Sequence, residues 1–199
     1  KMVQPDEDNM LAVCTYMTKV ALDARIIDPE AEEYDGGKVA LCAEKIIEIN
    51  KANPGTAQAV FCDTNTPKKD SFSVYQALRE RLVRSGEFAE NEIAFVHDAA
   101  NDKQRLAMFE KVNNAEIKII IGSTGKLGTG VNIQRKLSAL HHLDAPYRPS
   151  EVEPIQRNFL SNFIIKIINQ ACRRTYSKHQ VSEYAHRQHL QVREPQSAL

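Results

Sequence analysis

The stretch Ile117–Gln134, IKIIIGSTGKLGTGVNIQ, runs an apolar segment into a loop that holds Gly122, Gly125, Gly128 and Gly130 together with Ser123, Thr124, Lys126 and Thr129. Glycines, hydroxyls and a lysine beside a buried strand are the ingredients of a phosphate cradle, in which backbone N–H groups wrap an anion and the lysine neutralises it. The spacing departs from both common forms. A P-loop requires G-x-x-x-x-G-K-[ST], but here two residues separate Gly122 from Gly125, and Leu127 follows Lys126 where a hydroxyl is needed for magnesium. A dinucleotide fingerprint requires G-x-G-x-x-G, whereas GKLGTG carries its glycines in the reverse order. A third reading is a connection that needs glycine only for positive φ angles. Spacing alone leaves the last two classes of explanation, ligand loop and plain connection, both open.

Other residues with chemical potential lie at comparable places. Thr64, Thr66 and Lys68 follow the apolar run AQAVFC, and either contact an anionic backbone or form a polar capping loop. His97 follows another apolar run. His141 and His142 are adjacent inside a third, so one of them must face each side of a sheet. With no carboxylate or cysteine at ligand spacing, these histidines are not expected to bind metal. Cys14, Cys42, Cys62 and Cys172 are scattered without a C-x-x-C pair, which points to neither a zinc knuckle nor a disulfide framework.

The elements that must position these groups follow from hydrophobic periodicity. KVALCAEKIIEINKAN spaces Val39, Cys42, Ile46 and Ile49 by three and four and predicts a helix ended by NPG. A helix is expected around YMTKVALDARIID. SFSVYQALRERLVRSG predicts one that opens at a Ser cap and closes at Gly86, and NDKQRLAMFEKVNNA predicts one with Leu106, Phe109 and Val112 on one face. AQAVFCD, EIAFVHD, IKIIIGST and LSALHHLDAP read as strands, and PSEVEPIQRNFL begins as a further helix. Strands alternating with helices of this length define an α/β fold: a three-layer α/β/α domain with a central, mainly parallel sheet. Ligands in such sheets collect beyond the carboxyl ends of the strands, where DTNTPKK, HDAAND, GSTGKLGTG and DAPYRP all fall.

At 199 residues and 42% apolar content the chain can bury a substantial core. Lys plus Arg and Asp plus Glu each total 26, which argues against a general polyanion binder. The charge is uneven, with acids in excess up to Arg157 and bases in excess from Asn158 to Leu199. The chain shows no leader and no run long enough to cross a bilayer, so a cytoplasmic protein is expected. Three segments are expected: an irregular or helical extension over 1–37, the α/β domain over 38–157, and an atypical basic tail over 158–199.

The order AQAVFCDTNTP, IAFVHDAANDKQRLAMFEKV, IKIIIGSTGKLGTGVNIQ and LSALHHLDAPYRPSEVEPIQR resembles the C-terminal RecA-like lobe of superfamily 2 helicases and translocases, of the Swi/Snf-like kind. DEDNML and KVALDARIIDP further resemble the large helicase proteins of phages and conjugative elements that accompany an adenine-type DNA methylase. The resemblance covers about residues 9–157. It implies that GSTGKLGTGVNIQ is motif V, with Gly128, Thr129, Gly130 and Asn132 lining the cleft between two lobes, and that Gln156 and Arg157 belong to motif VI. It places Ser123, Thr124, Thr64, Thr66, Lys68 and Arg105 toward a nucleic-acid backbone. ATP and Mg2+ would be bound only by the full two-lobe protein, since neither Walker motif occurs in this chain. The implied partners are DNA, the other helicase lobe and a methylase domain, with no membrane.

The pattern departs from the family after Arg157. Two arginines expected one and two helical turns on, which would stabilise charge on the γ-phosphate, are replaced by Leu160 and Phe163. The segment from Asn158 is therefore expected to be a truncated or frame-shifted end, or else a diverged tail with a helix at FLSNFIIKIINQACRR that covers a sheet edge. The function expected is that of a motor lobe inactive by itself. The alternatives are a non-catalytic nucleic-acid or protein platform derived from such a lobe, and a small-molecule α/β enzyme using the glycine loop.

Overall fold

The computed structural model describes residues 10–67, 71–127 and 131–144. Among the described residues nine α-helices and β-strands follow one another: α1 (Met10–Leu22), α2 (Lys38–Ala52), β1 (Ala57–Phe61), α3 (Val74–Arg84), β2 (Ile93–Phe95), α4 (Asp102–Asn113), β3 (Ile119–Gly122), α5 (Thr124–Leu127) and β4 (Leu137–His142). The four strands form one sheet in the order β2-β3-β1-β4, and every pairing is parallel. Ala59 sits opposite Ile120 on one side and Leu140 on the other, which fixes the register at the centre of the sheet.

Period-two alternation distributes the strand residues between two cores. Val60, Cys62, Ile119, Ile121 and Leu143 face one side, where they meet Ile46 of α2 and Tyr75, Leu78 and Leu82 of α3. Ala59, Phe61, Ile120 and Leu140 face the other side and meet Phe109 and Val112 of α4, Leu127 of α5 and Ile133. Both faces of the sheet are thus covered, which is why β3, IIIG, is buried along its whole length and contains no polar residue. The connection β1–α3–β2 moves one way along the sheet over one face. The connections β2–α4–β3 and β3–α5–β4 move the opposite way over the other face. A single crossover hand requires that pairing of direction with face. The arrangement is that of a RecA-like three-layer α/β/α domain.

Several local details differ from the sequence expectation, each for a physical reason. The first helix begins earlier than expected and stops at Leu22, because Asp23 accepts the Arg25 N–H and starts a 3-10 turn over Ala24–Ile26. Leu22 joins the core, and Arg81 of α3 bonds Glu33 at 2.8 Å and Asp35 at 2.7 Å, so this N-terminal segment packs on the domain. Ser73 does precede α3, but its hydroxyl makes no hydrogen bond among the described residues; Asn65, eight residues earlier in the chain, accepts the Val74 N–H at 2.8 Å instead. Gly86 has φ +77°, the left-handed conformation expected just past a helix end. In α4 the buried side chains are Phe109, Val112 and Asn113, whereas Leu106 is 64% exposed. β2 is short because Val96–Asp98 turns into a 3-10 helix directly after Phe95.

No helix among the described residues is long and apolar enough to cross a membrane. Cys14 is exposed and free, while Cys42 and Cys62 are buried and free. The further helix expected from PSEVEPIQRNFL and the tail over 158–199 lie outside the described residues.

Candidate functional site: the carboxyl edge of the sheet

Because all four strands run parallel, the segments that follow them gather at one edge: Asp63–Pro67 after β1, His97–Asn101 after β2, Ser123–Leu127 after β3 and Asp144 after β4. Two carboxylates join three of these segments. Asp144 is buried, and its Oδ2 accepts the backbone N–H of Asp63 at 2.8 Å and that of Thr64 at 2.5 Å. Asp63 is exposed and turns the other way, accepting the Thr124 N–H at 2.8 Å on Oδ1 and the Thr124 hydroxyl at 2.6 Å on Oδ2. A burial cost for Asp144 is offset by two backbone donors, the usual condition for keeping a carboxylate out of water.

The turn after β3 is built on close packing. A Cβ at Gly122 would lie 2.4 Å from Leu127 Cδ1 and 3.1 Å from Val96 Cγ2, so glycine is required there by contact. Neither Gly122 nor Gly125 has a positive φ, so backbone handedness does not call for glycine at these two positions; at Gly125 a side chain would meet open space. The Ser123 carbonyl accepts the N–H groups of Lys126 and Leu127 at 3.0 and 2.9 Å and closes the single turn α5. Leu127, buried between Gly122 and the α4 side of the core, anchors it.

Two asparagines fix the approaches to the edge. Asn65 accepts from Val74 N–H and donates to the Phe72 carbonyl at 3.4 Å, holding the two ends of the β1–α3 loop together. Asn113 is only 4% exposed; its Nδ2 donates to the Asn132 carbonyl at 2.8 Å and its Oδ1 accepts the Arg135 N–H at 3.3 Å. The main chain of Asn132 is therefore set by α4, while its side chain is exposed.

Histidines and aromatic rings line the floor. His142 stacks on Phe61 with ring centroids 4.9 Å apart, and His97 meets Tyr75 edge to face at 5.5 Å. Tyr75 donates its hydroxyl to the Cys62 carbonyl at 2.6 Å. Burial lowers the pKa of both His97 and His142; the Lys126 ammonium lowers His97 further, whereas Asp144 and Asp63 oppose the shift at His142. His141 faces the opposite side of the sheet, as adjacent strand residues must, and its Nε2 lies 2.8 Å from Gln58 Oε1. The Cys62 thiol is pushed well up by burial and stays protonated, so it offers no nucleophile to the edge. Among the described residues no group of three or more His, Cys, Asp or Glu could hold a metal ion.

The sequence-derived candidates fall into three sets. Ser123, Thr124, Thr64 and Thr66 are half-buried at this edge, the first three of them in or beside the Asp63–Asp144 network. Asn132 is nearby in the chain but held by Asn113, and Arg105 is bonded to Asp102 on its own helix at 2.7 Å. Lys68, Gly128, Thr129, Gly130, Gln156 and Arg157 lie outside the described residues, as do Leu160 and Phe163. Sequence reasoning missed Asp63, Asp144, Asn65 and Asn113. For the first two a signal existed: each is the first acidic residue after a buried strand, in VFCD and HHLD.

Chemically, the edge can orient backbone amides and hydroxyls toward a ligand, and the Thr124 hydroxyl there is held by the Asp63 carboxylate. No protein-family model and no curated protein matches this chain. What fold and edge define is a class: a RecA-like α/β/α domain with a polar rim of loops beyond the carboxyl ends of its parallel strands.

Proposed function

We propose that the chain is the C-terminal motor lobe of an ATP-dependent superfamily 2 DNA helicase or translocase, and that by itself it neither hydrolyses ATP nor unwinds DNA. The observation that carries this reading is the order of segments along the sheet. The glycine turn GSTGKL follows β3, TNTP follows β1 and Leu143–Asp144 follows β4, so Ser123 and Thr124 of the segment that resembles motif V share one ligand edge with Thr64 and Asp144. Thr64, Ser123 and Thr124 would touch backbone phosphates, contacts that position a strand without reading its sequence. Nucleotide and Mg2+ would lie in a cleft completed by a second lobe that carries the Walker motifs.

Fluorescence anisotropy with labelled DNA at low salt tests the reading. A Ser123→Ala/Thr124→Ala double variant is expected to lose affinity by about threefold or more, because phosphate contacts dominate binding of this kind. Arg84→Gln, an exposed cation on α3, is the control. Equal loss in both variants would reveal diffuse charge attraction and sink the reading, as would undiminished binding by the double variant. In a phosphate-release assay with DNA and ATP, turnover above background would contradict the expected inactivity of this chain.

A second reading is favoured by Leu160 and Phe163 standing where the family has arginines: a degenerate lobe kept as a binding platform. The two separate on joining the chain to a Walker-bearing lobe, since only the motor reading expects DNA-stimulated hydrolysis from the pair.

A further inference from the structure

Asp63 occupies the centre of the edge and spends both carboxylate oxygens on one residue of the glycine turn: Oδ1 on the Thr124 N–H and Oδ2 on the Thr124 hydroxyl. A carboxylate and a phosphate offer such donors the same thing, a fork of anionic oxygens. Resting on the nucleic-acid reading above, we propose that Asp63 is an intramolecular competitor of the DNA phosphate, so that DNA engages the Ser123–Thr124 turn only when the Asp63–Thr124 contact opens.

Three observations make this a displaceable contact rather than a fixed strut. Asp63 and its contact with Thr124 are exposed, so water or a ligand can reach and replace the carboxylate; contacts of this exposure are weak in net terms. The main chain of Asp63 is held separately: its N–H donates to Asp144, and the neighbouring Cys62 N–H donates to the Gly122 carbonyl at 3.1 Å. The side chain can therefore rotate away about χ1 without moving the strand end. Finally, the turn beneath Thr124 is closed by its own bonds from Lys126 and Leu127 to Ser123 and by the Leu127 anchor, so it keeps its shape when Asp63 leaves.

The edge is thereby self-screened. With Asp63 in place, an approaching phosphate meets a like charge and two donors already engaged. With Asp63 withdrawn, the same donors are free and that repulsion has moved away from the turn. The device restricts weak, indiscriminate polyanion binding by the lobe and makes binding conditional on an event that draws Asp63 off.

The test compares the full chain with Asp63→Asn and Asp98→Asn, using anisotropy of a labelled oligothymidylate at low salt. Both variants remove one exposed negative charge from the same edge, but only the first takes the anion away from Thr124, leaving one neutral amide oxygen as the acceptor beside it. Asp63→Asn is expected to bind at least about fivefold tighter than the parent, the size of one close like-charge repulsion in water, and Asp98→Asn to stay within about twofold. If the parent binds and Asp63→Asn binds no tighter, or both variants tighten equally, competition is overturned and the nucleic-acid reading stands. If neither the parent nor Asp63→Asn binds, both are overturned, because removing the competing anion must then have exposed no phosphate site. Circular dichroism verifies folding, and Asp63→Ser replaces Asp63→Asn if the latter does not fold.

Discussion

Acidification should destabilise this protein through His141 more than through any exposed group, and the size of the effect can be worked from its surroundings. Gln58, 1% exposed, donates its amide N–H to the Ile46 carbonyl at 2.9 Å, so its Oε1 is left to accept from His141 Nε2. That assigns the neutral Nε2–H tautomer and leaves Nδ1 buried with no hydrogen bond among the described residues. Protonation would add an N–H at Nδ1 with nowhere to donate, inside a fully buried site. Burial first, then the His142 ring and the Lys45 ammonium, push its pKa down from 6.5 to about 3. Folding thus favours the neutral ring. This contribution is complete above pH 6.5, where the unfolded chain is also neutral, and is lost as pH falls from 6.5 toward 3. At about pH 4.5 the unfolded chain binds a proton that the folded state still refuses, which removes roughly 3 kcal/mol relative to neutral pH. Urea unfolding at about pH 7.5 and 4.5 measures the loss. His141→Gln keeps a donor for Gln58 but cannot titrate, so its stability should fall by roughly 3 kcal/mol less over the same interval. His97 and His142 contribute equally to both proteins and cancel. Parallel losses in parent and variant, differing by less than about 1 kcal/mol, would refute the assignment of a neutral, uncompensated His141.

Further outcomes follow from particular contacts. Asn113→Ala should cost about 2–3 kcal/mol, since it strands the Asn132 carbonyl and the Arg135 N–H, and the Arg135 amide should exchange faster with solvent in hydrogen-exchange measurements. Asn65→Ala should cost about 1–2 kcal/mol by thermal or urea unfolding because it removes the cap of α3, whereas Ser73→Ala, which deletes a buried hydroxyl without a partner, should cost less than about 0.5 kcal/mol. Along α4, Leu106→Ala should change stability by less than about 0.5 kcal/mol, while Val112→Ala should cost about 2 kcal/mol on the same urea curves. Gly86→Ala should cost about 1 kcal/mol, because the residue past α3 sits at φ +77°.

The α/β/α architecture was legible because its determinants are local and periodic. AQAVF and IKIIIG are short apolar runs bounded by turn residues, and KVALCAEKIIEI and SVYQALRERL repeat at three and four; the parallel sheet follows from their alternation. Local rules were incomplete where a tertiary contact decides the outcome. Ser73 has the composition of a cap, but its hydroxyl makes no hydrogen bond among the described residues, and Asn65 accepts the first helical N–H, that of Val74, from across the loop. Leu106 continues the apolar spacing of Phe109 and Val112, yet it lies near the start of α4, before the buried turns begin, and points to solvent. Composition alone left open why glycine stands at 122; the contact there is with Leu127, which a Cβ would strike.

The edge was only half legible for a related reason. Its location follows from strand polarity, which the sequence pattern predicts, so Thr64, Ser123 and Thr124 could be placed there before any geometry was known. Its wiring does not, because Asp63 meets Thr124 across 61 residues and Asp144 meets Asp63 across 81, distances at which no periodicity survives. A motif search looks for residues that would meet a phosphate and has no means of seeing that one of them is already engaged. The composition GST is that of an anion cradle, but the acid that fills the cradle is contributed by another strand. A glycine and hydroxyl loop in a parallel sheet therefore carries two separable properties: the capacity to bind an anion, written within the loop, and the availability of that capacity, written at the end of the neighbouring strand. In this protein the second property resides in Asp63, and it is the reason a loop with the right residues need not behave as a phosphate site in isolation.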